Sequence, residues 1–386
     1  MQLDLKRSEH IVPSYSLTGD LLSYLRCGLQ YRFQNGSALP PARPVQQWFG
    51  EFLHGTLELS FRFWQANPRL RNFPWPATQK EWRGPEPAWA ANDIGRFGDQ
   101  IENALMHQGK QARSRKARDS AFQRVTIAIN QLGPHLFPLI AAAEKKVIGT
   151  RRVPVAGVPL RCSNYEVHGV IDVLTHLTLG QAGAINLIRE SVQIACPDLM
   201  GEYEVIVDYK GSQRPLIRDT DGYWNQGMWQ IQTYAWLRGR QPDALPVASG
   251  ILIYVNELTP GAAEMTALKQ GIRDGTTDVL PQAGSADEQI VRMWRSGNST
   301  DQLSLAFRLQ RAIRVIPITQ QSTQESLAAF DDVVRRAEEN IVAEAHAGSI
   351  LNTWAHDGDD STCAACDFRW FCPKYADGQG PEVIAP

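Results

Sequence analysis

Two acid-bearing segments and one lysine hold the most readable chemistry in this sequence. Gly169-Val170-Ile171-Asp172 precedes Val207-Asp208-Tyr209-Lys210, so a carboxylate closing one apolar run is followed by a carboxylate-x-lysine closing another. Hydrolysing a phosphodiester requires charge stabilisation on the attacked phosphate and a hydroxide-like nucleophile near neutral pH, and oxygen-ligated Mg²⁺ or Mn²⁺ supplies both. Two acids on paired strands make such a site. Lys210 shares the strand face of Asp208, because side chains alternate with period two, and from there it orients the attacking water or offsets developing negative charge. An Asp-x-Lys triplet alone is a weak signal, expected about once by composition in a chain of this length. Its weight comes from position: Asp208 follows Val205-Ile206-Val207 and Asp172 follows Val170-Ile171, where buried strands emerge.

Sulfur forms the second chemical set. Cys27 stands in Tyr24-Leu25-Arg26-Cys27 near one end, and Cys363, Cys366 and Cys372 form a C-x2-C-x5-C cluster near the other. In a reducing compartment such spacing favours metal over disulfides, and four thiolates, or three with His356, suit either a tetrahedral zinc ion or an iron-sulfur cluster. Such a cage clasps the two ends of the chain together. Cys162 and Cys196 fall in other contexts and are expected to be free. Phe368, Trp370, Phe371 and Tyr375 either shield the cage or stack on unpaired bases, with Arg369 and Lys374 beside them.

Composition bounds the remainder. With 386 residues, 43% hydrophobic and 21% charged, the chain buries a large core. No stretch reaches the apolar length of a membrane span and Met1-Gln2-Leu3-Asp4-Leu5-Lys6-Arg7 lacks a signal-peptide core, so a cytoplasmic protein is expected. A formal net charge of -2 gives no global attraction for polyanions. The local exception is Lys110, Arg113, Arg115, Lys116, Arg118 and Arg124 on an expected helix over 97–131, which reads equally as a solvated face or a phosphate-contacting one. There is no Walker-type glycine loop, so motor activity must come from elsewhere.

These groups need elements to position them. Cap-type residues 16–20 precede Leu21, Leu22, Leu25, Leu29 and Phe33 at helical spacing, which places Cys27 on a first helix. After a proline break at 40–44, a second helix carries Trp48, Phe52, Leu57 and His54. A Trp- and Pro-rich loop over 67–91 leads to the basic helix, which Gly133-Pro134 should end. Short β-type runs follow at 147–155, 165–179, 184–188 and 203–209, then a buried helix over 228–237 and a strand over 249–255. Strand, helix, strand in that order implies a mixed sheet with a crossover. Residues 259–286 read as loop with weak helix and 300–347 as helical segments.

With the motifs in this order, the chain resembles the PD-(D/E)xK nucleases of the RecB-like branch, including CRISPR-associated adaptation nucleases and the nuclease modules of AddAB-type helicase-nucleases. In that family a helical histidine, an acid, a G-x-x-D strand, a D-x-K strand and a Q-x-x-x-Y helix follow one another. The matching residues here are His54, Glu144, Gly169 to Asp172, Asp208 to Lys210, and Gln230 with Tyr234. Members with a four-iron four-sulfur cluster place one cysteine before the core and three after it, as Cys27, Cys363, Cys366 and Cys372 stand here, with Pro373 after the last.

The resemblance implies an α/β, restriction-endonuclease-like fold: a mixed β-sheet core flanked by helices, with helical insertions and an iron-sulfur staple joining the terminal segments. It implies Mg or Mn held by His54, Asp172, Asp208 and the Tyr209 carbonyl, with Lys210 assisting the nucleophile and Gln230 and Tyr234 steadying the site or the DNA strand. A 4Fe-4S cluster is favoured over zinc. The expected divisions are an N-terminal helical segment (1–61), a helical insertion with the basic helix (62–140), the nuclease core (141–256), a helical elaboration (257–345) and the three-cysteine segment (346–386). The expected function is a metal-dependent DNA nuclease acting on single strands or ends. The alternatives are a non-catalytic DNA-binding subunit of a helicase or defence complex, and an RNA-directed or nucleotide-hydrolysing enzyme on the same fold.

Overall fold

The computed structural model describes residues 3–5, 11–37, 45–82, 84–181, 185–217, 222–298, 303–364 and 366–376. The expected proline break at 40–44 and residue 184 lie outside them. In chain order the elements are β1 (Ser14–Ser16), α1 (Leu22–Arg26), α2 (Gly28–Gln34), α3 (Val45–Ala66), α4 (Ile94–His107), α5 (Arg115–Leu136), β2 (Ile140–Arg152), β3 (Asn164–Leu179), α6 (Leu187–Ala195), β4 (Gly201–Lys210) and α7 (Tyr223–Arg238). They continue with β5 (Val247–Tyr254), α8 (Ala262–Asp274), α9 (Ala286–Met293), α10 (Leu305–Ala312), β6 (Ile313–Pro317), α11 (Gln320–Ala347), α12 (Asp360–Ala364) and α13 (Pro373–Ala376).

Six strands form one mixed sheet in the order β1-β3-β4-β5-β6, with β2 on the other edge of β3. β3 pairs antiparallel with β2 and β4 and parallel with β1, whereas β4 and β5 are parallel and joined through α7. A parallel pair requires such a crossover, and a helix is its usual form. Helices cover both faces, consistent with a restriction-endonuclease-like fold. One face packs Val167, Ile171, Ile206 and Leu252 under Ile231, Tyr234 and Leu237 of α7, with Phe330 and Val334 of α11 behind. The other packs Val173, Val205, Val207, Ile251 and Ile253 under Phe52 of α3, Phe122 and Ile129 of α5 and Ile188 of α6. Met265, Leu268, Val291, Trp294 and Phe307 make a small separate cluster among α8, α9 and α10. Among the described residues, no helix is long and apolar enough to cross a membrane.

Four local expectations need correction. Cys27 does not ride on a continuous helix: its φ of -170° breaks the chain between α1 and α2, and its sulfur accepts from the Gln30 backbone N–H as an N-cap. The run expected as a strand at 184–188 opens helix α6 instead, because Asn186 Oδ1 accepts from the Ile188 and Arg189 N–H groups and Ile188 and Val192 are buried. The expected basic helix is two helices, α4 and α5, and Pro134 sits inside the last turns of α5 rather than ending it. The stretch over 300–347 contains β6 as well as helices; its Ile313–Pro317 run pairs antiparallel with β5 and completes the sheet.

Gly169 shows how tightly α7 seats on the sheet. A Cβ there would lie 2.6 Å from Cε1 of Tyr234, well inside any real contact. The glycine of the G-x-x-D segment is therefore demanded by the approach of a ring. Gly169→Ala is expected to destabilise the protein by about 1–3 kcal/mol through overpacking and to displace Tyr234. Thermal unfolding checks this, and an unchanged transition would contradict it.

Candidate active site

The site forms where two strands part. β4 pairs with β3 only as far as Val173–Val207, and β1 occupies the same edge of β3 further along, opposite residues 166–168. Asp172 and Asp208 are the next residues on each strand, at the point of the fork. The Tyr209 N–H, which an uninterrupted ladder would pair with β3 backbone, donates instead to Asp172 Oδ2 at 3.0 Å. A side chain thus replaces the lost backbone partner.

His54 reaches the fork from the opposite face, where α3 packs. Its Nδ1 lies 3.2 Å from Asp172 Oδ2 and its Nε2 lies 2.8 Å from the Tyr209 carbonyl oxygen. Two acceptors on one ring are both satisfied only when both nitrogens carry protons, that is, by imidazolium. Burial works against that charge, but Asp172, and Asp208 beyond it, carry the His54 pKa up to about 9. The tyrosine ring below packs edge-on to the imidazole, with centroids 6.0 Å apart.

On the α7 face, Asp208, Lys210 and Gln230 close a ring of hydrogen bonds. Lys210 Nζ lies 2.8 Å from Asp208 Oδ1 and donates to Gln230 Oε1 at 2.6 Å, while Gln230 Nε2 donates to Asp208 Oδ2 at 2.6 Å. Asp208 and Gln230 are buried. Burial pushes the Asp208 carboxyl upward, opposed chiefly by the Lys210 ammonium. Tyr234, one helical turn beyond Gln230, is buried against Gly169, and its hydroxyl bonds Gln230 and Thr18. It touches the ring through Gln230 rather than facing the cleft.

The cleft beside Asp172 is lined by His54, Glu58, Glu144 and Tyr209, among others. Glu144 faces the fork between the Ala143–Val173 and Lys145–Ile171 pairs with a φ of 53°, a left-handed conformation uncommon outside glycine. Strain of this kind is retained where surrounding structure enforces it, often at functional sites. Burial, then the charges of Asp172 and Glu58, raise the Glu144 carboxyl above its ordinary range. Glu58 escaped the sequence reading, although it stands one turn after His54 on the same face of α3, a spacing that was there to be read. Among the described residues, no three His, Cys, Asp or Glu side chains are gathered into a preformed cation cage. His54 and Asp172 contact each other directly, and Asp208 is engaged by Lys210 and Gln230.

Cys27, Cys363, Cys366 and Cys372 line one pocket together with His356, Phe33 and Phe368. The ends of the chain are also clasped there without sulfur: buried Arg32 of α2 pairs with Glu344 of α11 at 2.7 Å, and Glu344 accepts from the Trp354 indole. Burial, then the nearby Cys27 and Cys372 thiols, push Cys366 up to about 11. Lys374 Nζ lies 3.7 Å from Cys363 Sγ. Cys162 and Cys196 lie elsewhere and are unpaired.

The basic segment is largely neutralised. Arg118 is buried against Glu102 (2.7 Å), Lys110 pairs with Glu51 (2.5 Å), Arg124 with Glu264 (3.4 Å) and Arg115 with Asp119 (3.6 Å). Arg118 and Arg124 thus tie α5 to α4 and α8, whereas Arg115 pairs within its own helix.

A family model described as PD-(D/E)XK nuclease superfamily matches residues 197–373. That span begins ahead of β4 and includes Asp208, Lys210, Gln230, Tyr234 and the three C-terminal cysteines, and residues 197–373 form a domain of this superfamily. His54, Glu58, Glu144, Asp172 and Cys27 lie before the matched span, and the fold alone brings them to it. No curated protein matches the chain.

Proposed function

We propose that the protein is a Mg²⁺- or Mn²⁺-dependent nuclease that hydrolyses DNA, acting on single strands or ends. The observation that carries this reading is the meeting, at one strand fork, of the Asp208–Lys210–Gln230 ring and the Asp172–His54–Tyr209 carbonyl group. The donor set suits a hard divalent cation: carboxylates, a carbonyl oxygen and an imidazole. His54, Asp172, Asp208 and the Tyr209 carbonyl oxygen would hold it. When bound, the cation polarises the phosphate and acidifies the attacking water. The Lys210 side chain ends beside that region, where it would orient water and offset charge on the phosphate oxygens. Gln230 fixes both Asp208 and Lys210, so its role is positioning, and Tyr234 supports Gln230.

The experiment is direct. Purified protein should degrade single-stranded DNA with Mn²⁺ or Mg²⁺ and not with EDTA. Salt-sensitive binding without degradation would support instead a DNA-docking subunit for a helicase or defence partner.

For the cysteines we propose a 4Fe-4S cluster held by Cys27, Cys363, Cys366 and Cys372, a reading supported by all four facing one pocket. Their sulfurs are the ligands such clusters take, and the aromatic lining limits solvent access. Anaerobically purified protein is expected to be brown, absorbing near ~400 nm, with about four irons per chain. Colourless protein with one bound zinc would assign the cage to zinc.

A further inference from the structure

Arg32, Arg118, Arg214, Arg238, Arg311 and Arg314 are the buried arginines among the described residues. The first five each have a carboxylate within salt-bridge distance: Glu344, Glu102, Asp278, Glu204 and Glu257 respectively. Arg314 has none. Its Nη1 donates to the Trp224 carbonyl oxygen at 3.1 Å, and Tyr254 bonds it from the sheet. Asp278, the carboxylate whose charge reaches it, is held by Arg214. A buried guanidinium without a counter-ion is costly, which favours a retained function or a missing anionic partner.

Arg314 also lies on the working side of the sheet. It pairs in register with Leu252, which pairs with Asp208, so the three side chains share a face in one cross-strand row. Two strand spacings put Arg314 about 10 Å from Asp208, within one or two nucleotides of it along a single strand. The guanidinium sits 3.2 Å from the centroid of the Trp224 ring. Trp224 is half-buried on the first turn of α7, the helix that carries Gln230, and among the described residues no other ring packs on it.

We propose that Trp224, seated on Arg314, is a stacking platform for a base of single-stranded nucleic acid entering the site, and that a backbone phosphate of the bound strand supplies the counter-charge that no described residue gives Arg314. This rests on the nuclease reading and specifies its substrate form. Aromatic rings hold unpaired bases by their π-faces whatever the sequence, and a duplex keeps its bases stacked on each other. A cation beneath the ring strengthens the platform and attracts the backbone.

The test uses the full chain in EDTA, with fluorescence anisotropy of a labelled single strand and of the same sequence as a blunt duplex. Trp224→Ala is expected to weaken single-strand binding about 5- to 100-fold, the range for losing one base–aromatic stack, and Trp224→Phe to retain most of the affinity. Duplex affinity should hold in both. Arg314→Gln should flatten the dependence of log K on log salt by about one contact's worth, which Trp224→Ala should leave alone. Unchanged single-strand affinity in Trp224→Ala, while the wild type binds and degrades DNA, would overturn this inference and leave the nuclease reading standing. Equal loss of single-strand and duplex binding would also overturn it. Wild-type protein that binds neither form would overturn both.

Discussion

Asp208→Asn is expected to lower Mn²⁺-dependent DNA hydrolysis by about three orders of magnitude, because it removes the charge of the proposed cation ligand and the anion that anchors Lys210. Lys210→Met should do nearly as much. The two together should cost little beyond either alone, since groups acting as one unit are strongly non-additive. The hydrogen-bond ring explains why: Gln230 spans both residues at 2.6 Å, so losing one leaves the other misplaced. The protein should stay folded, because an asparagine amide offers Gln230 and Lys210 an oxygen in the same place. Release of acid-soluble nucleotides from single-stranded DNA measures the rate, with circular dichroism as the check on folding. Hydrolysis by Asp208→Asn at the wild-type rate would remove the site from the chemistry.

The second large effect is a pH dependence of cation binding. His54 holds its proton up to about 9, against an ordinary value of 6.5. A cation taking His54 as a ligand must displace that proton, so Mn²⁺ affinity should rise with pH by up to about tenfold per unit between 6.5 and 9 and level off above. Without divalent ions the same proton acts on the fold in the opposite sense. A raised histidine contributes stability that is fully present below 6.5 and is lost as the pH climbs through about 9. Isothermal titration at several pH values distinguishes wild type from His54→Gln, which should bind more weakly and lose the slope in that window. A wild-type affinity that is flat from 6.5 to 9 would remove His54 from the ligand set.

Much of this was legible because its signals are local. Asp172 and Asp208 each close an apolar run, and period-two alternation places Lys210 beside Asp208. The crossover from β4 through α7 to β5 follows from the order of apolar runs alone. Features set by tertiary contact were less visible. Residues 184–188 carry strand-like composition, but Asn186 caps a helix whose Ile188 and Val192 meet the core. The Ile313–Pro317 strand is short and sits between two helices, so β5 rather than its own composition defines it. The cations around α5 read as one exposed stripe, because their carboxylate partners Glu51, Glu102 and Glu264 come from other parts of the chain. Glu144 shows its place only through a strained backbone opposite Asp172, and Arg314 is conspicuous only once the partners of every other buried arginine are known.

Asp172, Asp208 and the Tyr209 carbonyl are expected to gather around one divalent cation at the fork of β3 and β4. Anomalous diffraction from crystals soaked in Mn²⁺ tests it most directly. A manganese peak is expected in the cleft, in contact with both carboxylates and the carbonyl oxygen, and it should vanish in Asp208→Asn. Manganese bound elsewhere, with this cleft empty at saturating concentration, would contradict it.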